Sequence, residues 1–79
     1  MLQAVLASNV RAERARRGWR QADLAAALGW SPTTVADIEG GRRRLDVDQL
    51  TDLCRAFGIP LGRLLQDGDP DALQVLGLT

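Results

Sequence analysis

The stretch from Gln21 to Gly41 constrains this chain more than any other. It holds two short apolar-striped segments of helical spacing, each closed by glycine. In the first, Leu24, Ala25 and Leu28 fall on one face of a helix that starts near Gln21. Gly29 ends it, because a residue without Cβ takes the left-handed turn at no steric cost. The second opens with Ser31-Pro32-Thr33-Thr34. A serine hydroxyl accepts a free backbone N–H of the first turn, and proline is favoured at the first helical position because its missing N–H has no partner there anyway. This helix starts at Pro32, buries Val35 and Ile38, and stops at Gly40-Gly41. Two short helices across a tight glycine turn form a helix-turn-helix unit.

The flanks supply what the pair packs against. Leu2 to about Arg17 is rich in alanine and arginine, and Gly18 stands where a C-terminal cap belongs. Leu2, Val5, Leu6, Asn9 and Val10 follow helical spacing there, with Ala12 and Arg16 further along. A fourth helix is expected from Asp46 or Val47 to Phe57, with Leu50, Leu53, Cys54 and Phe57 inward and Asp46 and Asp48 at its positive end. After Gly58, Ile59-Pro60 leads into a short fifth helix with Leu61, Leu64 and Leu65 inward. Residues 67–71 are an acidic break, followed by an apolar tail with Leu73, Val75, Leu76 and Leu78. The fold class is therefore all-α, five helices in one bundle spanning residues 1–66, with residues 67–79 docking on it or forming a dimer surface.

With 79 residues, one small core is all the chain can build. Cys54 is the single cysteine, which excludes an internal disulfide and suits a reducing cytoplasm. No histidine is present and no glycine-rich loop precedes a lysine, so no acid–base, nucleophilic, metal or phosphate-cradling constellation is expected, and no cofactor. No charged-then-apolar leader is expected ahead of the domain, and no apolar run approaches the ~20 residues that span a membrane. The chain is expected to be cytoplasmic and not an enzyme.

Ten basic and ten acidic residues cancel overall, but they are not mixed. All ten basic residues are arginine, and residues 1–44 carry a net +4 against −4 for residues 45–79. Such polarity can turn a basic face to phosphates, or it can be a lopsided solvated surface.

Residues 10–65 resemble the lambda-repressor-like, XRE-type helix-turn-helix family. The resemblance is carried by the run from Val10 to Gln21, by Leu24-Ala25, Leu28-Gly29, Ser31, Val35, Ile38-Glu39 and Gly41, and by the stretch LCRAFGIPLGRLL from Leu53 to Leu65. It implies a five-helix bundle that binds double-stranded DNA as a transcription regulator, a repressor by expectation. The third helix is then the recognition helix in the major groove, and a homodimer reads half-sites about one turn apart. The resemblance makes Gln21 a phosphate contact that also braces that helix, against the bland reading of a polar helix start. Ser31, Pro32, Thr33, Thr34 and Asp37 are the outward positions on or beside it. Thr33 and Thr34 can bond bases or phosphates. Pro32 offers only apolar contact, and Asp37 departs from the residues DNA readers commonly carry. It is either a specificity element accepting from cytosine or an outward residue paired with a nearby arginine. Arg42, Arg43 and Arg44 follow the recognition helix where relatives lay a loop on the backbone, and Arg20 is a further phosphate candidate.

The resemblance also pairs Arg14 with Glu39 as a partly buried salt bridge between the first and third helices. It places Trp19 and Trp30 in the core rather than as base-stacking platforms, and Cys54 as an inert inward thiol rather than a redox switch. The alternative function on the same scaffold is a protein-interaction module, such as an antitoxin or a sigma-factor or anti-repressor partner, which Pro32, Asp37 and the acidic second half would suit. The arginine-only basic set and abundant alanine fit a GC-rich bacterial or phage source.

Overall fold

A computed structural model describes residues 2–66 of the chain, with side chains from Gln3 onward. The described residues form five helices: α1 (Leu2–Arg16), α2 (Gln21–Leu28), α3 (Pro32–Glu39), α4 (Val47–Phe57) and α5 (Leu61–Leu64). The acidic break and the apolar tail expected over residues 67–79 lie outside the described residues.

Helix ends follow the local chemistry. Gly29 closes α2 at φ 72°, which lets the Trp30 N–H reach back to the Ala25 carbonyl at 2.9 Å. The Ser31 hydroxyl accepts the Thr34 N–H at 3.1 Å, with Pro32 in the first turn of α3. Asp46 caps α4: its carboxylate accepts the Gln49 N–H at 2.7 Å, while the Gln49 side chain accepts the Asp46 N–H at 3.1 Å. That reciprocal pair sets the start of α4 at Val47 rather than Asp46.

The core is one cluster, drawn from every helix: Val10 of α1, Leu24 and Ala25 of α2, Val35 and Ile38 of α3, Leu53 and Phe57 of α4, and Leu64 of α5. α2 packs on α3 and α4, and α1 lies across α3, α4 and α5. Leu50 and Leu61, expected inward, are only half-buried. Trp19 and Trp30 pack against the cluster from its edge. Trp19 stacks on Phe57 with centroids 6.0 Å apart and ring planes 23° from parallel.

The inward line of α1 differs from the one expected. Ala12 and Arg16 are exposed, and Glu13 is buried instead, with 2 % of its surface accessible. A charge can be buried there because three arginines converge on it: Arg16 at 2.8 Å, Arg63 of α5 at 3.1 Å and Arg17 at 3.7 Å. Arg17 also donates to the Phe57 carbonyl at the end of α4 at 2.7 Å and lies 4.8 Å from the Phe57 ring centroid. Asn9, one turn earlier, donates to the Leu64 and Gln66 carbonyls at 2.7 and 3.0 Å. Asn9 of α1 and Arg17 just past its end therefore hold the ends of α5 and α4, which the hydrophobic pattern alone did not reveal.

Two outcomes test this packing. Leu24→Ala should lower unfolding stability by ~2–5 kcal/mol in urea titration, since Leu24 is fully enclosed and its removal leaves a cavity. Burial pushes the Cys54 thiol above the ordinary cysteine range, so at pH 8 its alkylation by iodoacetamide should run slower than that of free cysteine. Unfolding in urea should bring the rate up to the free-thiol value.

Candidate nucleic-acid interface

The outer face of α3 is the candidate site, and its position is set from behind. Val35 and Ile38 seat α3 in the core, and Glu39 at its last turn is 5 % exposed. The Glu39 carboxylate accepts two bonds from the Arg14 guanidinium, Nε at 2.7 Å and Nη2 at 2.9 Å. This fork-on-fork geometry fixes orientation as well as distance. The same guanidinium donates to the Trp19 carbonyl at 2.8 Å, and the Gln21 side chain donates to Glu39 Oε1 at 3.2 Å. The hydrogen bond from Arg14 to Glu39 raises the Arg14 pKa further, against the opposing effect of burial. One carboxylate thus ties together α1, the first residue of α2 and the end of α3.

Gln21, expected to brace the recognition helix, makes that contact directly. Ser31, Pro32 and Thr33 are exposed at the start of α3, and Thr34 is half-buried. The Ser31 and Thr34 hydroxyls lie 3.0 Å apart, so both are partly engaged with each other. Asp37 is paired with Arg42, whose Nε donates to its carboxylate at 3.2 Å and whose Nη2 donates to the Ala36 carbonyl at 3.2 Å. Asp37 is thus paired with a nearby arginine in the folded chain.

Arg20 is exposed and pairs with Asp23 at 3.2 Å. The Asp23 carboxylate also accepts the Arg20 backbone N–H at 2.7 Å, closing the first turn of α2. The Arg20 guanidinium, and after it the Arg20 backbone N–H, hold the Asp23 carboxyl below the usual carboxylate range. Arg43 and Arg44 are exposed and flank an apolar-floored cleft beside Leu6, Ala7, Ile38 and Leu45. The Gln3 side chain anchors the loop at the Gly41 carbonyl, 3.0 Å away.

Folding redistributes the arginine charge. Arg14, Arg16, Arg17, Arg20, Arg42, Arg55 and Arg63 each pair with a carboxylate. Among the described residues Arg11, Arg43 and Arg44 make no such pair, and the last two adjoin α3. Sequence reasoning missed the Glu13 cluster. Its Arg16 and Arg17 arms, three and four residues along a helix, were legible as spacing; Arg63, fifty residues away, was not. Among the described residues no group of side chains has the makings of a metal site, and no helix is long and apolar enough to cross a membrane.

Residues 5–66 match the helix-turn-helix domain family, and the chain belongs to it, in its lambda-repressor-like, XRE-type form. The match begins five residues earlier and ends one later than the expected span of 10–65. An uncharacterized HTH-type transcriptional regulator of Mycobacterium tuberculosis is 39 % identical over 66 residues, covering 80 % of this chain and 26 % of that protein. The crystal structure of a hypothetical transcription factor from Neisseria superposes with a TM-score of 0.79 at 32 % identity, covering 96 % of this chain and 85 % of that one. The clp gene regulator ClgR of Corynebacterium glutamicum superposes at 0.77 with 29 % identity, covering 82 % and 83 %. The chain spans about a quarter of the length of the mycobacterial relative.

Glu39→Ala tests the node behind the site. It leaves the Arg14 side chain, 17 % exposed, without its carboxylate, so stability should fall toward the lower end of about 3–5 kcal/mol. Arg20→Ala removes an exposed, solvent-screened pair and should leave stability nearly unchanged. Equal effects of the two in chemical denaturation would deny Glu39 its anchoring role.

Proposed function

We propose that this chain is the double-stranded DNA-binding domain of a transcription regulator, with α3 entering the major groove. The observation that carries the reading is the Arg14–Glu39–Gln21 node. It holds α3 rigidly against α2 while leaving Ser31, Pro32 and Thr33 exposed at the end of the helix that docks on base edges. Kinship with HTH-type transcriptional regulators supports the same assignment.

Direct readout is sparse on this face. Thr33 and Thr34 can donate to or accept from bases and set a methyl against thymine, and Pro32 supplies an apolar contact. Affinity then rests on phosphates: Arg43 and Arg44 from the loop after α3, Arg20 and Gln21 from the start of α2, and Arg42 beside Asp37. Asp37 is a carboxylate carried by the face itself, screened by its arginine. A single short recognition helix gives limited specificity, so the regulator acts as a homodimer on two half-sites about one helical turn apart. Repression follows where such a site overlaps a promoter.

Selection from a random duplex library at moderate salt tests the reading. A palindrome with half-sites about one turn apart is the expected product. On that duplex, Arg43→Ala and Arg44→Ala should each weaken binding uniformly across sequences and reduce the slope of log affinity against log salt by about one. Recovery of no sequence, with binding indifferent to salt, would transfer the assignment to the protein-interaction reading.

A further inference from the structure

Gly40 ends α3 but has none of the usual reasons to be glycine. Its backbone is right-handed, φ −85° and ψ −1°, a conformation any residue adopts, whereas its neighbour Gly41 is left-handed at φ 72°. The space beside it is what is distinctive. A Cβ built on Gly40 would run into the Arg42 guanidinium, overlapping Nη1 and lying 2.7 Å from Cζ and 2.9 Å from Nη2. Arg42 lies back across the end of α3, held there by Asp37 and the Ala36 carbonyl.

We propose that Gly40 is a positioning residue for the DNA-binding face: by carrying no side chain, it lets Arg42 fold over the end of α3 and cover Asp37. This rests on the DNA-binding reading and adds a device to it. Asp37 is half-buried on the helix that meets the duplex, and a bare carboxylate there repels phosphate. With Arg42 folded over it, α3 presents that position as a neutral pair.

Gly40→Ala separates this role from folding. Alanine is at ease at φ −85°, so thermal stability should hold or rise, and what yields is the far end of a flexible side chain. Nuclear Overhauser contacts between Arg42 side-chain protons and the Gly40 α-protons in the native protein establish the folded-back arginine without DNA; their absence would overturn the proposal. On the duplex selected by the native chain, Gly40→Ala should weaken binding by roughly two- to fivefold, the scale of one exposed charge pair. Asp37→Asn should tighten it. In the Asp37→Asn background, Gly40→Ala should cost clearly less, because no carboxylate remains to be covered and only Arg42's own phosphate contact can be lost. Gly40→Ala binding as well as or better than native protein, or weakening both backgrounds alike, would overturn the proposal while the DNA-binding reading stands. Failure of the native chain itself to bind any duplex would overturn both.

Discussion

The bidentate bond between Arg14 and Glu39 is the interaction on which the rest of the arrangement depends. Glu39 is the last residue of α3, and its carboxylate is almost wholly out of water. A buried carboxylate is tolerable only when its lone pairs are used, and here Arg14 supplies two donors and Gln21 a third. Because the three partners come from α1, α2 and α3, satisfying one charge also sets the angle between the helices of the helix-turn-helix. Apolar contacts through Val35 and Ile38 hold α3 down but resist rotation about its axis weakly; the forked ion pair has direction.

The Glu13 cluster performs the same task between α1 and the ends of α4 and α5. Arg17 bridges α1 to the end of α4, and Arg63 draws α5 onto α1. A chain this small has few residues with which to close a core, and α5 is a single turn. Directional polar contacts from α1, including Asn9 to the end of α5, compensate for the small apolar area each short helix buries. No buried side-chain nitrogen or oxygen among the described residues lacks a partner, so none of these contacts is offset by an orphaned group.

These contacts also change the meaning of the charge pattern. Eight arginines in residues 1–44 suggest a broad basic face. In the folded chain Arg14, Arg16 and Arg17 serve internal carboxylates, and Arg20 and Arg42 serve acids of the same surface. Among the described residues the unopposed charge beside α3 narrows to Arg43 and Arg44. The basic footprint there is therefore a short loop flanking α3 rather than half of the chain.

Local chemistry, and therefore the sequence, determined where each helix starts and stops. Gly29, Ser31-Pro32, Asp46 and Gly58 act on backbone groups a few residues away, so their effects are legible without knowing the fold. The apolar stripes of α2 and α3 and the motif from Val10 to Leu65 likewise specified the bundle and its helix-turn-helix. What the tertiary structure decided were contacts between residues far apart in the chain. Glu13 and Ala12 are both plausible in a helix, and the approach of Arg63 completes the arginine cluster that makes burial of the charge affordable. The pairing of Asp37 with Arg42 was not legible either, because five residues of turn can direct an arginine many ways. Gly40 looked like part of a simple helix stop, and only a side chain crossing above it shows why no Cβ belongs there. Periodicity and capping depend on sequence distance; charge pairing and steric exclusion depend on distance in space, which the folded chain alone supplies.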